Sequence, residues 1–507
     1  APPSLSGAST GMPGIGVTRG AAWMVVFRLI ERSLGLVSTL ILARLLIPAD
    51  FGLVAMAMSV VALIELASAF SLDVPLIQRQ DPTRAHYDTA WTLNLLFGAG
   101  CASAMALLAF PAAAFYGEER LGPVMLVLSA GWFLQGFENI GIVNFRRTMN
   151  FRRETGFLLG KKLVGFCVTL GLAFGFRTYW ALVAGIVAGR AAGVALSYLL
   201  EPFRPRPSLA ARADLLSMSS WLFLNNLLYF GTTRLSHFII GRVNGAQSLG
   251  LYTIAAELAN LPQSELVAPI NRALFPGFSR MQEDRAELRQ GFVSANSIIA
   301  LLVFPAGVGM ASIAPFLVPV ILGARWVDAV PIMQVLAVSG TMAALTSNTY
   351  SAYLALGRAR VTTWILVLEL ALMVPGMLLL SRSYGVLGVA YAEMIAIATG
   401  AVIGFLVLLR TLRLSARELL VNLLRPAIAA AAMGAVVASL GQRLGGPGTG
   451  LAGMSVLLLL ILAGAATYVL LVAGLWLAAR RPPGAEQLIL DQVRARLRPA
   501  PQAPREA

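Results

Sequence analysis

Three charged residues interrupt the first long apolar segment of the chain, which runs from about residue 21 to residue 46. Arg28, Glu31 and Arg32 are three and four residues apart, so a helix places them on one face. That face continues as a polar stripe through Gly35, Ser38 and Thr39. An ionisable group in a membrane helix costs several kcal/mol unless it faces protein or water and has a partner. Two arginines with one carboxylate leave a net positive charge, which suits an anionic group at membrane depth. Snorkelling at the helix start is the alternative interpretation.

The elements that must position these residues are membrane helices. Of the 507 residues, 58% are hydrophobic and 12% are charged, which is about half the charged fraction of a soluble domain. A helix needs about 20 apolar residues to cross a bilayer. The sequence therefore predicts an all-α polytopic membrane protein with about fourteen spans, at 20–46, 50–76, 88–115, 121–145, 156–176, 179–201, 214–241, 247–275, 290–314, 329–356, 360–381, 385–410, 422–442 and 452–478.

The distribution of basic residues predicts the orientation of these spans. Of the 39 Lys and Arg residues, 28 are assigned to the termini and one set of connections, Lys161 and Lys162 included, and 7 to the opposite set. Cytoplasmic loops carry the excess of Lys and Arg, so we expect both termini in the cytoplasm. The net charge of +15 then reflects topology and attraction to anionic headgroups. We expect no nucleic-acid partner.

An internal repeat predicts the domain organisation. A shift of 198 residues places Trp23 on Trp221 and Arg44 on Arg242. Six spans per half keep both halves in the same orientation, a common transporter plan in which two lobes rock about a central cavity. The predicted parts are a disordered cytoplasmic leader (1–17), an N-lobe of spans 1–6 (18–212), a C-lobe of spans 7–12 (213–412), spans 13 and 14 (413–480) and a cytoplasmic tail (481–507).

Polar side chains on other spans are candidates to line such a cavity. Amides and hydroxyls along a helix suit a sugar chain, because they donate and accept without net charge. Interhelical hydrogen bonding is the alternative for any single residue. The candidates are Gln135, Asn139, Asn225, Asn226, Tyr229, Thr233, His237, Glu257 and Asn260, with Arg234 beside them.

Isolated carboxylates within the spans leave two interpretations open. Each could form a structural ion pair with an intramembrane arginine, or it could titrate or bind Na⁺ during coupled transport. The residues concerned are Glu31, Glu65, Glu138, Glu369 and Glu393, with Arg190 as a further arginine partner. Apart from H⁺ or Na⁺ as a coupling ion, we expect no cofactor. We expect no metal site either, because Cys101 and Cys167 lie in apolar spans as buried small side chains.

The chain resembles the polysaccharide flippases of bacterial cell-surface biosynthesis, within the multidrug/oligosaccharidyl-lipid/polysaccharide exporter superfamily. The resemblance covers about residues 18–480 and rests on the two lobes, the two added helices and two segments, ARLLIPADFGLVAMA (43–57) and LIQRQDPTRAHYDTAWTLN (76–94). It implies a flippase that works by alternating access for synthesis of exopolysaccharide, O-antigen or a similar surface polysaccharide. This flippase would move an undecaprenyl-diphosphate-linked oligosaccharide from the cytoplasmic to the periplasmic leaflet of the bacterial inner membrane.

The resemblance also implies roles for particular residues and partners. Arg28, Arg32 and Arg234 are the basic residues expected to face the diphosphate. Spans 13 and 14, uncharged through their centres, are expected to form a groove for the polyprenyl tail. The expected partners are the lipid-linked substrate, membrane lipids, and the polysaccharide polymerase with its chain-length machinery.

Three other functions remain open at this point. A drug/cation antiporter of the same superfamily would need an acidic cavity, whereas spans 1 and 7 carry arginines. A membrane-embedded polysaccharide polymerase, ligase or glycosyltransferase would need a large periplasmic loop or paired carboxylates near the interface, so we expect a transporter and no enzyme. A scaffold for the polysaccharide machinery would not require charges within the membrane.

Overall fold

Helices make up the architecture of the described chain. The computed structural model describes residues 13–67, 73–79, 81–212, 220–281, 284–446, 448, 450–480 and 486–487. The helices are α1 (Pro13–Leu45), α2 (Pro48–Ala67), α3 (Asp73–Gln78), α4 (Arg84–Tyr116), α5 (Leu121–Gln135), α6 (Val143–Arg147), α7 (Phe151–Phe176), α8 (Trp180–Leu200), α9 (Ser220–Ala259), α10 (Ala268–Arg280), α11 (Arg285–Leu317), α12 (Ala329–Ala355), α13 (Ala359–Leu412), α14 (Ala416–Arg443) and α15 (Gly450–Ala478). Short 3₁₀ or π turns occupy Ile140–Ile142, Gln263–Val267, Val318–Leu322 and Ala324–Trp326.

Many of these helices can cross a membrane. Within the described ranges, nine are long and apolar enough to do so, and a tenth span results if Leu121–Gln135 and Ile140–Arg147 count as one span bent by 66°. The prediction of an all-α, multi-pass membrane protein is therefore confirmed. The count of fourteen stays a prediction. The predicted leader overlaps α1, which begins at Pro13, while residues 1–12 and most of the predicted tail lie outside the described residues.

Two long helices are each interrupted at a single glycine. Gly245 within α9 has φ 80° and ψ 179°, and Gly385 within α13 has φ 58° and ψ −139°. Positive φ is readily adopted only by glycine. The sequence analysis left gaps at 242–246 and 382–384 between predicted spans, whereas the chain there stays helical up to a sharp break at one residue.

The described residues divide into two compact units. The first extends to Phe230 and includes Gly245–Gln247; the second comprises Gly231–Asn244 and the chain from Ser248 onward. In the first unit, α7 packs along α8, α4 along α5, and α1 against α7. In the second, α11 packs against α12, α14 and α15. The predicted lobe boundaries, which derive from the repeat, stay a prediction.

The turn between α4 and α5 is fixed by a left-handed glycine and an ion pair. Gly117 ends α4 with φ 68°. Arg120 Nε and Nη2 each donate to the Glu118 carboxylate at 2.8 Å. The hydrogen bond from Arg120 lowers the pKa of Glu118. Because this turn lies between two spans, the pair closes the loop at the membrane surface.

An extended segment after α8, residues 201–212, is held along the start of α4. Side chains of α4 accept hydrogen bonds from its backbone: Asp88 Oδ1 from Arg206 N at 2.9 Å, Thr92 Oγ1 from Ser208 N at 2.9 Å, and Thr89 Oγ1 from Ala211 N at 3.2 Å. All three acceptor residues are buried. We call this segment the strap. It fixes the path of the chain after α8.

The two cysteines differ in exposure. Cys101 is buried, as predicted, but Cys167 is exposed on α7. The prediction of a buried side chain at Cys167 is wrong, because this face of α7 points away from its neighbours in the first unit. An apolar residue there suits contact with lipid as well as burial in protein.

Candidate functional site

A seam of glycines brings α7 and α8 close together. A Cβ atom added at Gly165 of α7 would lie 3.0 Å from the Gly185 carbonyl oxygen of α8, and one at Gly189 would lie 3.3 Å from the Lys161 carbonyl. Backbones that approach this closely leave no room for larger side chains, and small residues allow such packing in membranes. The seam therefore holds the middle of α7 firmly against α8.

Beside this seam lies a cavity of about 400 Å³, bordered by α1, α5, α7 and α8 within the first unit. Its walls combine apolar and small residues with polar side chains from all four sides. The polar lining consists of Ser38, Gln135, Glu138, Lys161, Lys162, Thr169 and Arg190. Three cationic groups against one carboxylate give this lining a net positive charge.

Each cation of the lining is held by a different contact. Lys162 Nζ lies 2.6 Å from Glu31 Oε1 on α1. Lys161 Nζ lies 5.0 Å from the ring centroid of Phe157, one turn earlier on α7. The Arg190 guanidinium carbon lies 4.1 Å from the Trp132 ring centroid, a cation–π contact that fixes the plane of the guanidinium.

Arg190 also keeps unused hydrogen-bonding capacity. Its Nη1 atom is buried and makes no hydrogen bond to any residue that the structure describes. A buried donor without an acceptor costs free energy, and an anionic oxygen is the acceptor that a guanidinium binds best. Chemically, the cavity can hold an anion at Arg190 and the two lysines while its amide and hydroxyl groups bind neutral polar groups.

Some of the predicted residues meet at this cavity. Gln135, Glu138 and Arg190 line it, and Glu31 reaches it through Lys162. Glu138 packs against α8, where a Cβ atom added at Gly193 would lie 3.2 Å from its Oε2. Arg32 lies on the same helix as Glu31 and is half-buried. The side chain of Arg28 lies outside the described residues.

Asn139 and Glu65 do not line the cavity. Asn139 is fully buried and follows α5, where its side chain accepts from Gly141 N at 3.0 Å and donates to the Phe203 carbonyl at 2.7 Å. Its backbone N–H donates to Ser197 Oγ at 3.0 Å. These bonds shape the bend after α5 and anchor the start of the strap. Glu65 is exposed on α2 and interacts electrostatically with Arg190, as the ion-pair interpretation expects.

The predicted residues of the second unit are scattered. Thr233 and Arg234 are exposed on α9, and the His237 ring contacts Tyr252 edge-on at 5.8 Å. Glu257 and Asn260 lie near and just after the end of α9. The side chains of Asn225, Asn226 and Tyr229 lie outside the described residues.

The two predicted carboxylates of α13 are both half-buried and contact other parts of the second unit. Tyr252 donates to Glu393 Oε2 at 2.5 Å. Glu369 packs directly against Gly400, where an added Cβ would lie 2.1 Å from Glu369 Oε1. Glu393 thus joins α9 to α13, and Glu369 joins the two parts of α13 on either side of the Gly385 break.

Lys161 and Lys162 are cavity residues that the sequence analysis missed. They were counted with the cytoplasmic connections, but α7 begins at Phe151 and both lie inside the helix. Removing them changes the 28-to-7 split of basic residues to 26-to-7, which leaves its direction unchanged. The signal was present, since Lys162, Gly165 and Thr169 share a helical face.

Comparison with known proteins decides the family. The sequence model of the polysaccharide biosynthesis protein family matches residues 41–331, more than half of the chain. The chain belongs to this family. Lipopolysaccharide biosynthesis protein WzxC of Escherichia coli K12 is 25% identical over 416 residues, which cover 80% of this chain and 84% of WzxC. Succinoglycan biosynthesis transport protein ExoT of Rhizobium meliloti 1021 is 25% identical over 325 residues, 64% of this chain and 66% of ExoT.

Solved structures share the fold of this family member. The lipid II flippase MurJ, in an inward closed conformation, superposes with a TM-score of 0.71 over 90% of this chain and 99% of MurJ, at 14% identity. An inward-facing MATE multidrug transporter of the MOP superfamily has a TM-score of 0.53 over 76% of this chain and 95% of that protein, at 16% identity. At such low identity the likeness concerns the fold alone. It agrees with the all-α membrane fold expected from the sequence.

Proposed function

We propose that this protein is a flippase for undecaprenyl-diphosphate-linked oligosaccharide in synthesis of a surface polysaccharide. The observation that carries the proposal is a basic, partly polar cavity bordered by helices of a multi-pass member of the polysaccharide biosynthesis family. The names of WzxC and ExoT connect them to polysaccharide synthesis or transport, and MurJ is named a lipid II flippase. These names support a lipid-linked saccharide as the substrate class.

Each part of such a substrate has a counterpart in the first unit. The diphosphate is assigned to Lys161, Lys162 and Arg190, because phosphate oxygens bind both ammonium groups and the guanidinium fork. Uncharged sugar hydroxyls are assigned to Ser38 and Gln135, whose side chains accept and donate without net charge. The polyprenyl tail stays in lipid. Arg28, Arg32 and Arg234 are proposed as further contacts of the diphosphate as the substrate crosses the membrane.

The cellular setting follows from the same proposal. The substrate moves from the cytoplasmic to the periplasmic leaflet of the inner membrane by alternating access, with both termini in the cytoplasm. A polymerase and its chain-length machinery then receive the exported unit. Whether H⁺ or Na⁺ is coupled to the movement is open, and Glu369 and Glu393 stay candidates for that role. A cation antiporter is disfavoured because the lining carries three cations and one carboxylate.

The test is flipping in proteoliposomes of a fluorescent lipid-linked oligosaccharide, followed by its accessibility to a quencher. Lys162→Ala and Arg190→Ala should each lower the apparent affinity about 10- to 150-fold, because a hydrogen bond to a charged group is worth about 1.5–3 kcal/mol. Arg190→Lys should recover only part of the activity, since lysine lacks the planar fork. Arg152→Ala, an exposed position on the same helix, is the matched control. Normal flipping by a Lys162→Ala, Arg190→Ala double variant would exclude this cavity as the substrate site.

A further inference from the structure

Three asparagines form a polar layer inside the apolar core of the second unit. Asn271 lies on α10, Asn296 on α11 and Asn348 on α12. On one side of them is a hydrophobic cluster that includes Val267, Ile299 and Leu345. On the other side is a second cluster, which includes Phe278, Phe292 and Ala352. The three amides therefore separate two apolar layers.

Helical spacing puts each asparagine on the face that builds these clusters. On α11, Asn296 follows Phe292 by four residues and precedes Ile299 by three, so the three side chains lie on one face. On α12, Asn348 follows Leu345 by three residues and precedes Ala352 by four, and Asn271 of α10 follows Val267 of the preceding π turn by four and precedes Phe278 by seven. Because α12 packs against both α10 and α11, these positions fall at one level of the unit.

Two of the three asparagines are fully buried, the third is half-buried, and five of their six amide atoms are buried and unpaired within the described residues. Asn296 is 1% exposed and Asn348 is 0% exposed. Both Oδ1 and Nδ2 of each, together with Asn271 Oδ1, are buried and form no hydrogen bond with any residue in the described ranges. By contrast, the fully buried Asn139 of the first unit has its amide oxygen and nitrogen both engaged.

Five unpaired amide atoms in one buried layer indicate a ligand. Buried polar groups in native proteins are almost always hydrogen-bonded to protein or to ordered water. The five atoms are three carbonyl oxygens, which accept, and two NH₂ groups, which donate. A cation would be bound by the carbonyl oxygens but repelled by the NH₂ groups. An anion would be bound by the NH₂ groups but repelled by the oxygens. Neither ion finds a countercharge in three neutral side chains. Water both donates and accepts.

We infer that Asn271, Asn296 and Asn348 enclose a small cluster of ordered water molecules that bridges α10, α11 and α12 within the membrane-spanning part of the second unit. The water gives every amide a partner and joins the three helices by exchangeable hydrogen bonds. This inference does not depend on the proposed transport function, because it rests on burial and hydrogen bonding alone.

Hydroxyl-radical footprinting of the full-length protein in detergent tests the inference, because radicals made from bound water by X-ray pulses oxidise the side chains beside it. We expect oxidation at Phe292 and Leu345, although both are buried, and none at Ile140, which adjoins the fully bonded Asn139. An Asn296→Leu, Asn348→Leu double variant should lose this oxidation. Absence of labelling at both side chains in the unmodified protein would overturn the inference without need of any variant.

Ion replacement separates water from a bound cation. The footprint should be the same in sodium, potassium and choline chloride. Oxidation that disappears only in sodium chloride would show that Na⁺ displaces the water, and the layer would then be a cation site instead. If the double variant folds, its thermal midpoint gives a second measurement. Loss of a Na⁺-dependent midpoint shift in that variant would likewise overturn the assignment to water.

Discussion

Releasing the strap from α4 should expose its backbone and impair transport. Thr89→Val and Thr92→Val keep the shape of each side chain and remove the oxygens that accept from Ala211 N and Ser208 N at 3.2 and 2.9 Å. Leaving a buried donor unsatisfied costs about 1–3 kcal/mol, so the double variant should weaken the strap by about 2–6 kcal/mol in total. This is an upper bound, because the freed segment can move into water.

Hydrogen exchange measures this effect directly. A loss of 1–3 kcal/mol per amide corresponds to exchange about 5- to 150-fold faster, which peptides covering the strap, residues 201–212, would report by mass spectrometry. Thr148→Val is the matched control, since Thr148 Oγ1 donates only to the Asn144 carbonyl of its own turn, at 2.8 Å. Unchanged exchange of strap peptides in the double variant would refute the idea that these threonines hold the segment. Because the strap packs along α4 in the unit that also contains the cavity, faster exchange should accompany slower flipping.

Three further changes test the site and its surroundings. Gly185→Ala should lower the thermal midpoint of the protein, because the new methyl group meets Thr169 Oγ1 in the helix seam and overpacking costs about 1–3 kcal/mol. Gly171→Ala is the control: the space around Gly171 is open, so this variant should have unchanged or higher stability. Glu31→Gln removes the carboxylate that pairs with Lys162, so pyrophosphate should raise the thermal midpoint of this variant more than that of the unmodified protein. The effect should weaken at high salt. Equal midpoint shifts in the two proteins would contradict the pairing. The carboxylate of Glu118 has a lowered pKa, so it stabilises the fold above its ordinary pKa and loses this effect as pH falls through the lowered value; the difference in midpoint between Glu118→Gln and the unmodified protein should shrink on acidification.

The sequence predicted the fold well because membrane helices are encoded locally. Long apolar runs fix the existence of spans without reference to distant residues. The same patterns located the helix ends less well. Gly245 and Gly385 interrupt helices that otherwise continue, and hydropathy alone does not distinguish a one-residue break from a loop. The bend after Gln135 was missed for the same reason, since the apolar run continues through it.

The site was predicted only in part because its residues come from four helices. Gln135, Glu138 and Arg190 were candidates because charge or amide groups stand out in apolar spans, and they do line the cavity. Lys161 and Lys162 fall inside the predicted span 156–176, but two adjacent lysines also fit the positive-inside pattern, and the orientation argument assigns them to the cytoplasmic connections. The structure begins α7 at Phe151, with Asn150 as its N-cap accepting from Arg153 N, so both lysines lie well inside the helix.

The segment 76–94 shows why a family pattern does not reveal its own role. Tyr87 donates to Asn144 Oδ1 at 2.6 Å and accepts from Arg147 at 2.8 Å, while Asp88 and its neighbours hold the strap. These partners lie 57 to 122 residues further along the chain. Sequence spacing carries no information about such contacts. The pattern is therefore family-specific in sequence, but the contacts that give it a structural role are defined only by the packing of the helices.

The charge balance of the cavity indicates which contacts change when substrate binds. By formal charge, Lys161, Lys162 and Arg190 exceed Glu138 and Glu31 by one, and Glu65, which acts on Arg190 through space, offsets that charge from outside the lining. A larger uncompensated charge at membrane depth would be costly, so Glu31 acts as an internal counterion when no substrate is bound. A diphosphate carries about two negative charges and binds ammonium groups more completely than one carboxylate does. On the proposed function, its arrival displaces Glu31 from Lys162. Substrate binding on α7 is thereby linked to release of α1, the helix that carries Arg28 and Arg32 and borders the cavity.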